Sequence, residues 1–179
     1  MAGLLKWLGQ ILARALGLPS GYTTVIVYGF RGSNELYEEL YRADLRYKYG
    51  HVGISLEYGK TIYGFNPWVE DGTPEEQIKR DLRNGVSYPG KVEDDTLIFD
   101  QVRGKRKEVR EHRYHLDEKS FRELEERLLY DKEHSPLEHK RYSFPSGFAG
   151  GGYNCATYLV TLNIENPYPS GILKDYFLD

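Results

Sequence analysis

The apolar positions of this chain change period several times, and each change marks an element. Over residues 1–18 (MAGLLKWLGQILARALGL), Leu4, Leu5, Leu8, Ile11, Leu12, Ala15 and Leu16 recur at helical spacing, with Lys6, Gln10 and Arg14 on the other side. This is the pattern of an amphipathic helix, ended by Pro19, Ser20 and Gly21. It is too short and too charged to span a bilayer, and Arg14 interrupts the apolar stretch a signal peptide needs. A helix docked on the rest of the chain is expected, with membrane-surface contact or removal as alternatives. The period then falls: Thr23 to Tyr28 (TTVIVY) is a β-branched run that reads as a buried strand. Glu35 to Tyr41 is ambiguous between a helix and a flap. HVGISLEYGKTIYGFNP, residues 51–67, splits into two short strands joined at Gly59-Lys60.

Helical spacing returns in Pro74 to Arg83, with Thr73 as N-cap, Pro74 at the first helical position and acids in the first turn. Thr96 to Val102 and Glu108 to Leu116 read as a second hairpin around RGKRK. Asp117 to Tyr130 reads as a helix with Leu124, Leu128 and Leu129 on one face. Asp131 to Gly152 is polar, then rich in glycine and aromatics, and is expected to be a loop. A last apolar helix starts at Tyr153 or Asn154 and carries Cys155, Leu159, Val160 and Leu162. PYPSGILKDYFLD reads as a turn and a short terminal helix. No repeat or linker divides the chain, so the expected organisation is the amphipathic helix 1–18 and one domain over 19–179.

Composition narrows the function classes. The chain has 179 residues, enough for one domain with a sizeable core. Hydrophobic residues at 40% and charged residues at 28% belong to a globular chain rather than a disordered one. A net charge of −3 argues against a general nucleic-acid binder. The basic cluster from Arg103 to Arg113 is interleaved with Glu108 and Glu111 and reads as a solvated hairpin tip. The single cysteine cannot form an internal disulfide or a multi-cysteine zinc site. No zincin, EF-hand or nucleophile-elbow motif is present, so neither a metal nor a cofactor is expected.

That cysteine sits in GGGYNCATYLVTLNI, behind glycines and at the opening of the last helix. Unpaired first-turn N–H groups and the helix dipole favour a thiolate there, and the N–H of Cys155 can serve an oxyanion. A thiol nucleophile needs an imidazole to move its proton and a group to orient that imidazole. His112 and His115 are three apart on a strand and so face opposite ways. His134 and His139 flank a polar loop. His51 follows a glycine and opens an apolar strand, at a sheet edge where catalytic groups are often presented, which makes it the candidate base.

Two stretches together, GHVGISLEYGKTIYGFNP and YNCATYLVTL, resemble the permuted branch of the papain-like NlpC/P60 superfamily, which includes the lecithin:retinol acyltransferase-like proteins. In that branch the histidine strand precedes the cysteine helix, as here. The pair is also similar to cysteine-hydrolase domains of bacterial effectors and toxins. Outside the two stretches, the chain agrees with the family only in the order of its elements. The resemblance implies an α+β, circularly permuted papain-like fold with a central antiparallel sheet and the cysteine helix packed across it. It implies a thiol hydrolase with Cys155 as nucleophile and His51 as base, acting on a peptide, peptidoglycan or acyl-lipid substrate. An amidase or peptidase, in the manner of an effector, is the leading expectation, in the cytoplasm or secreted; a lipid acyl enzyme or a non-catalytic binding module are the rivals. Family spacing sets the orienting residue at Tyr63, where relatives often carry another polar residue. Asn66 is chemically closer to an orienting amide. The hairpin loop decides which of the two shares the face of His51: a two-residue loop selects Asn66, a three-residue loop Tyr63.

Overall fold

The computed structural model describes residues 22–42, 44–57, 60–143 and 155–162. The amphipathic segment 1–18, the glycine-rich run before Cys155 and the expected C-terminal helix therefore lie outside the described residues. Within them, six strands form one antiparallel sheet in the order β5-β1-β2-β3-β4-β6. The strands are β1 (Tyr22–Phe30), β2 (His51–Ser55), β3 (Tyr63–Pro67), β4 (Tyr88–Asp94), β5 (Arg110–Asp117) and β6 (Leu137–Tyr142). The helices are α1 (Asn34–Glu39), α2 (Leu45–Tyr49), α3 (Glu75–Arg83), α4 (Thr96–Gly104), α5 (Glu118–Glu133) and α6 (Cys155–Thr161). The protein is an α+β protein built on an open antiparallel sheet.

Both faces of the sheet are covered, which explains why β1 reads as a continuous apolar run rather than an alternating one. Val25 and Val27 face one way with Val52, Ile54 and Phe65, against Leu124 and Leu128 of α5 and Tyr158 and Leu159 of α6. Ile26, Tyr28 and Phe30 face the other way, with Tyr37 of α1, Tyr47 of α2 and Phe99 and Val102 of α4. β2 lies in the middle of this sandwich and is buried at every position. Among the described residues, no helix is long and apolar enough to cross a membrane.

Three expectations are corrected. The segment expected as the first strand of a second hairpin is the helix α4. Its β-branched residues suggest an extended chain, but Phe99 and Val102, one turn apart, are buried while Leu97 is 66% exposed, the pattern of a helix with one apolar stripe. The Asp94 carboxylate accepts from the Thr96 N–H at 2.9 Å and so starts that helix. The RGKRK stretch is the exit from α4 rather than a hairpin tip. The polar loop expected from Asp131 contains the last three residues of α5 and then β6, which pairs with β4.

Entry into β2 is set by Gly50. Its φ of 85° lies in the left-handed region, and a Cβ there would stand 2.9 Å from the Phe30 carbonyl oxygen. The chain leaves α2 through this glycine and turns directly into His51.

Candidate active site

Cys155 opens α6, with Leu159 and Leu162 anchoring the helix in the core shared with β2 and β3. The Tyr158 ring stacks on Phe65 of β3, with centroids 4.6 Å apart. The Tyr158 hydroxyl donates to the Asp131 carboxylate at 2.8 Å, and the same carboxylate pairs with Lys140 of β6. Asp131, Lys140 and Tyr158 are all buried. This cluster ties α5, β6 and α6 together one turn beyond the thiol, and thereby fixes where the thiol stands.

His51 lies near Cys155, close enough for the thiol to act on the imidazole's charge. The ring packs against Phe99, with centroids 5.8 Å apart, and edge-on against Phe30. Its Nε2 lies 2.7 Å from Oδ2 of Asp95. Cys155, His51 and Asp95 are 3%, 2% and 1% exposed, so water screens these contacts very little.

Asp95 occupies the orienting position expected of Tyr63. The reason is register. Gly53 pairs with Gly64 and Ile54 with Tyr63 across β2 and β3. Continued along the strands, this register sets Asn66 on the face of His51 and Tyr63 on the opposite face. Tyr63 packs against the cluster around Val52 and Ile54, and Lys132 sits 5.0 Å from the centre of its ring. Asn66 shares the face of His51 but bonds to Asp95: its Nδ2 donates to Oδ2 at 3.0 Å. It holds the carboxylate rather than the imidazole.

Asp95 is fixed from all sides. Its N–H donates to the Ile62 carbonyl at 2.8 Å, and the Ile62 N–H donates to Thr96 Oγ1 at 2.9 Å. Arg46 of α2 closes on Oδ1 of Asp95 while also pairing with Asp44 at 2.6 Å and Glu93 at 3.4 Å. Gly64 makes room for the contact. A Cβ at residue 64 would fall 1.7 Å from Asp95 Oδ2 and 2.5 Å from His51 Nε2, inside both groups.

The electrostatics follow from this packing. Burial works against a charged imidazole, but the charge and hydrogen bond of Asp95, with smaller contributions from Cys155, outweigh it and push His51 up to about 9. Burial would raise the Asp95 carboxyl, and His51, then Arg46 and Asn66, hold it below its ordinary value instead. Burial, followed by the neighbouring Cys155, pushes the half-buried Tyr142 phenol well up, so it stays protonated. A thiol, an imidazole favoured in its charged form and a fixed carboxylate are the three parts of a relay that can generate a nucleophile and carry its proton.

The other histidines are elsewhere. His115 bonds Thr24 Oγ1 at 2.9 Å on β5, His112 packs on Tyr114, and His134 stacks on Tyr130. Of the basic residues at and after the end of α4, Arg103 is met by Asp100 and Glu111, Lys107 by Glu35 and Arg110 by Glu108. Among the described residues, no group of histidine, cysteine and carboxylate side chains is arranged to hold a metal ion. Comparison with protein-family models, with curated proteins and with solved structures returns no match.

Proposed function

We propose that the protein is a thiol-dependent hydrolase of the permuted papain-like kind, acting on amide bonds through an acyl-enzyme. The observation that carries this reading is the buried His51 ring bonded to the Asp95 carboxylate with the Cys155 thiol nearby. A structural cysteine needs no imidazole fixed beside it by an ion pair, and a structural histidine needs no thiol. The order of elements supports the family reading: the histidine strand comes first, and the helix opened by the cysteine packs over that strand and its neighbour.

In the reaction, His51 takes the thiol proton and Cys155 Sγ attacks the carbonyl carbon. The C–N bond then breaks as His51 gives the proton to the leaving amine. His51 next takes a proton from water, the hydroxyl attacks the thioester carbon, and the proton returns to Sγ as the acid leaves. Asp95 positions the imidazole and stabilises it while charged, and Asn66 and Arg46 position Asp95. The Cys155 N–H, in the first turn of α6, serves the oxyanion. Peptides, including those of peptidoglycan, are the proposed substrates. An acyl ester would pass through the same steps, and turnover of amide against ester substrates decides between them.

The experiment is alkylation of Cys155 by iodoacetamide as a function of pH. In the native protein, reaction is expected to be fast already near pH 6.5. In His51→Ala it should fall about a hundredfold there, a size typical of losing a positioned base. A thiol that reacts slowly and is indifferent to His51 would leave the protein a non-catalytic binding module.

A further inference from the structure

One feature not used so far is a cavity of about 470 Å³ whose inner lining includes the residues that hold Asp95. Three of the residues that line it belong to the site: Asn66 and Arg46, which hold Asp95, and Tyr142, which feels the charge of Cys155. From Asn66 the wall follows one run of chain outward through Pro67, Trp68 and Val69 to Asp71, Thr73 and Glu75 at the start of α3. The cavity thus leads from the neighbours of Asp95 and Cys155 toward the surface, and its size suits one or two amino-acid side chains.

Its chemistry is selective. Trp68, Val69, Ile78 and Leu82 make an apolar side along which an aliphatic stem can lie. Four carboxylates line the cavity, Asp44, Asp71, Glu75 and Glu93, against two cations, Arg46 and Lys91. Neither cation is spare. Arg46 already serves Asp44, Glu93 and Asp95, and Lys91 sits 2.6 Å from Glu93. Glu75 shares Lys79 with Glu76, at 2.8 and 2.7 Å. Asp71 has no ion pair among the described residues and is exposed at the outer end. An anionic ligand would have to displace these pairings, whereas a cation adds to a wall with carboxylate in excess. Trp68 offers the best aromatic face for such a cation.

We infer that this cavity is the specificity pocket of the enzyme and takes a lysine or arginine side chain next to the scissile amide, its stem along Trp68 and its charge toward Asp71. The inference rests on the thiol-hydrolase reading and deepens it by naming the substrate class, peptides with a basic residue at the cleavage site.

The test uses three acyl-amino-acid chloromethyl ketones that differ only in side chain: lysine, norleucine and glutamate. Each reacts by one step in which Sγ of Cys155 forms a bond to the methylene carbon and chloride leaves. The lysine reagent is expected to inactivate about tenfold faster than norleucine, with glutamate slowest, and added salt should shrink the difference. Asp71→Asn and Trp68→Leu should each narrow the preference for lysine while iodoacetamide alkylation stays unchanged. Norleucine reacting as fast as lysine, or glutamate faster than either, overturns the inference. A second measurement separates the pocket from the chemistry: titration of N-acetyl-lysine methylamide into Cys155→Ser. Saturable binding that Asp71→Asn weakens supports the pocket even where the iodoacetamide profile has ruled out a relay, and absence of binding overturns the pocket even where that profile has supported one.

Discussion

Two buried ionic clusters flank the centre of this molecule, and they are built from similar parts for different ends. In one, Asp131 accepts from Tyr158 and pairs with Lys140, while its backbone carbonyl accepts from Ser135 at 2.7 Å. In the other, Asp95 meets His51, Asn66 and Arg46. The first contains only residue types that keep their charge between about pH 5 and 8, and it joins three elements to one another. The second contains a histidine, lies near a thiol, and has two members, Asn66 and Arg46, that line a cavity. A buried carboxylate is therefore not in itself a sign of chemistry. The sign is a carboxylate whose partner can lose its proton to, or take one from, a group that reacts.

The comparison can be broken most forcefully at Asp131. Asp131→Asn leaves Lys140 charged, buried and unpaired, and is expected to cost about 3–5 kcal/mol of stability in urea unfolding. The pH profile of Cys155 alkylation in the folded variant should keep its shape. A shifted profile would mean that the two clusters are one system.

Gly64→Ala comes next. Its methyl group cannot coexist with the His51–Asp95 hydrogen bond, so alkylation near pH 6.5 should fall toward the hundredfold loss of His51→Ala, a size typical of losing a positioned base. A smaller substitution is hard to make, and an unaffected profile would show that the hydrogen bond is dispensable.

Asp95→Asn should act more gently and mainly at higher pH. Near pH 8 an imidazole at its ordinary value of about 6.5 is almost wholly neutral, whereas one at about 9 is charged, so alkylation there should drop, by no more than about fourfold. Stability carries the same signature. His51 binds its proton more tightly in the folded than in the unfolded chain. Its contribution is therefore full below the unfolded value of about 6.5 and is lost as pH rises through about 9. Asp95 contributes in the opposite sense: its stabilisation is present above the ordinary carboxylate value of about 3.9 and is lost as pH falls below it toward the lowered folded value. The native urea midpoint should decline on the alkaline side, and Asp95→Asn should flatten that decline. The smallest effect belongs to Tyr63→Phe, which faces away from His51 and should leave alkylation within about twofold at every pH, with stability changed by no more than about 0.5 kcal/mol.

How much of this was legible in the chain depends on how local the signal is. β1, the β2–β3 pair and the helices α3 and α5 are visible because their apolar spacing lies within each segment. Cys155 and His51 are visible because one is the only thiol and the other opens an apolar strand. The parity of the β2–β3 register is not visible, because it depends on a loop whose length several turn types satisfy, and that parity separates Asn66 from Tyr63. Asp95 is hidden for a second reason. It stands 44 residues from His51, and it gains its position only through Ile62, Asn66 and Arg46. A signal did exist: Asp94-Asp95-Thr96 followed by Phe99 and Val102 one turn apart is a helix start. β-branched residues drew that segment to a strand, and with it went the carboxylate at its head. β4 and β6 stay faint because they carry Gly90, Pro89 and several charges, and owe their extension to neighbours rather than to propensity.

The missing side chain at residue 64 also has a bearing on ancestry. Chains that descend from a common parent and keep the trio of Cys155, His51 and Asp95 have one admissible residue there, since even a methyl group intrudes on both His51 and Asp95. Descendants that have lost the trio are released from that restriction and are free to acquire alanine or serine. Glycine at this position should therefore be inherited together with the histidine and the aspartate, and its replacement should mark the branches of the lineage in which their hydrogen bond has been given up.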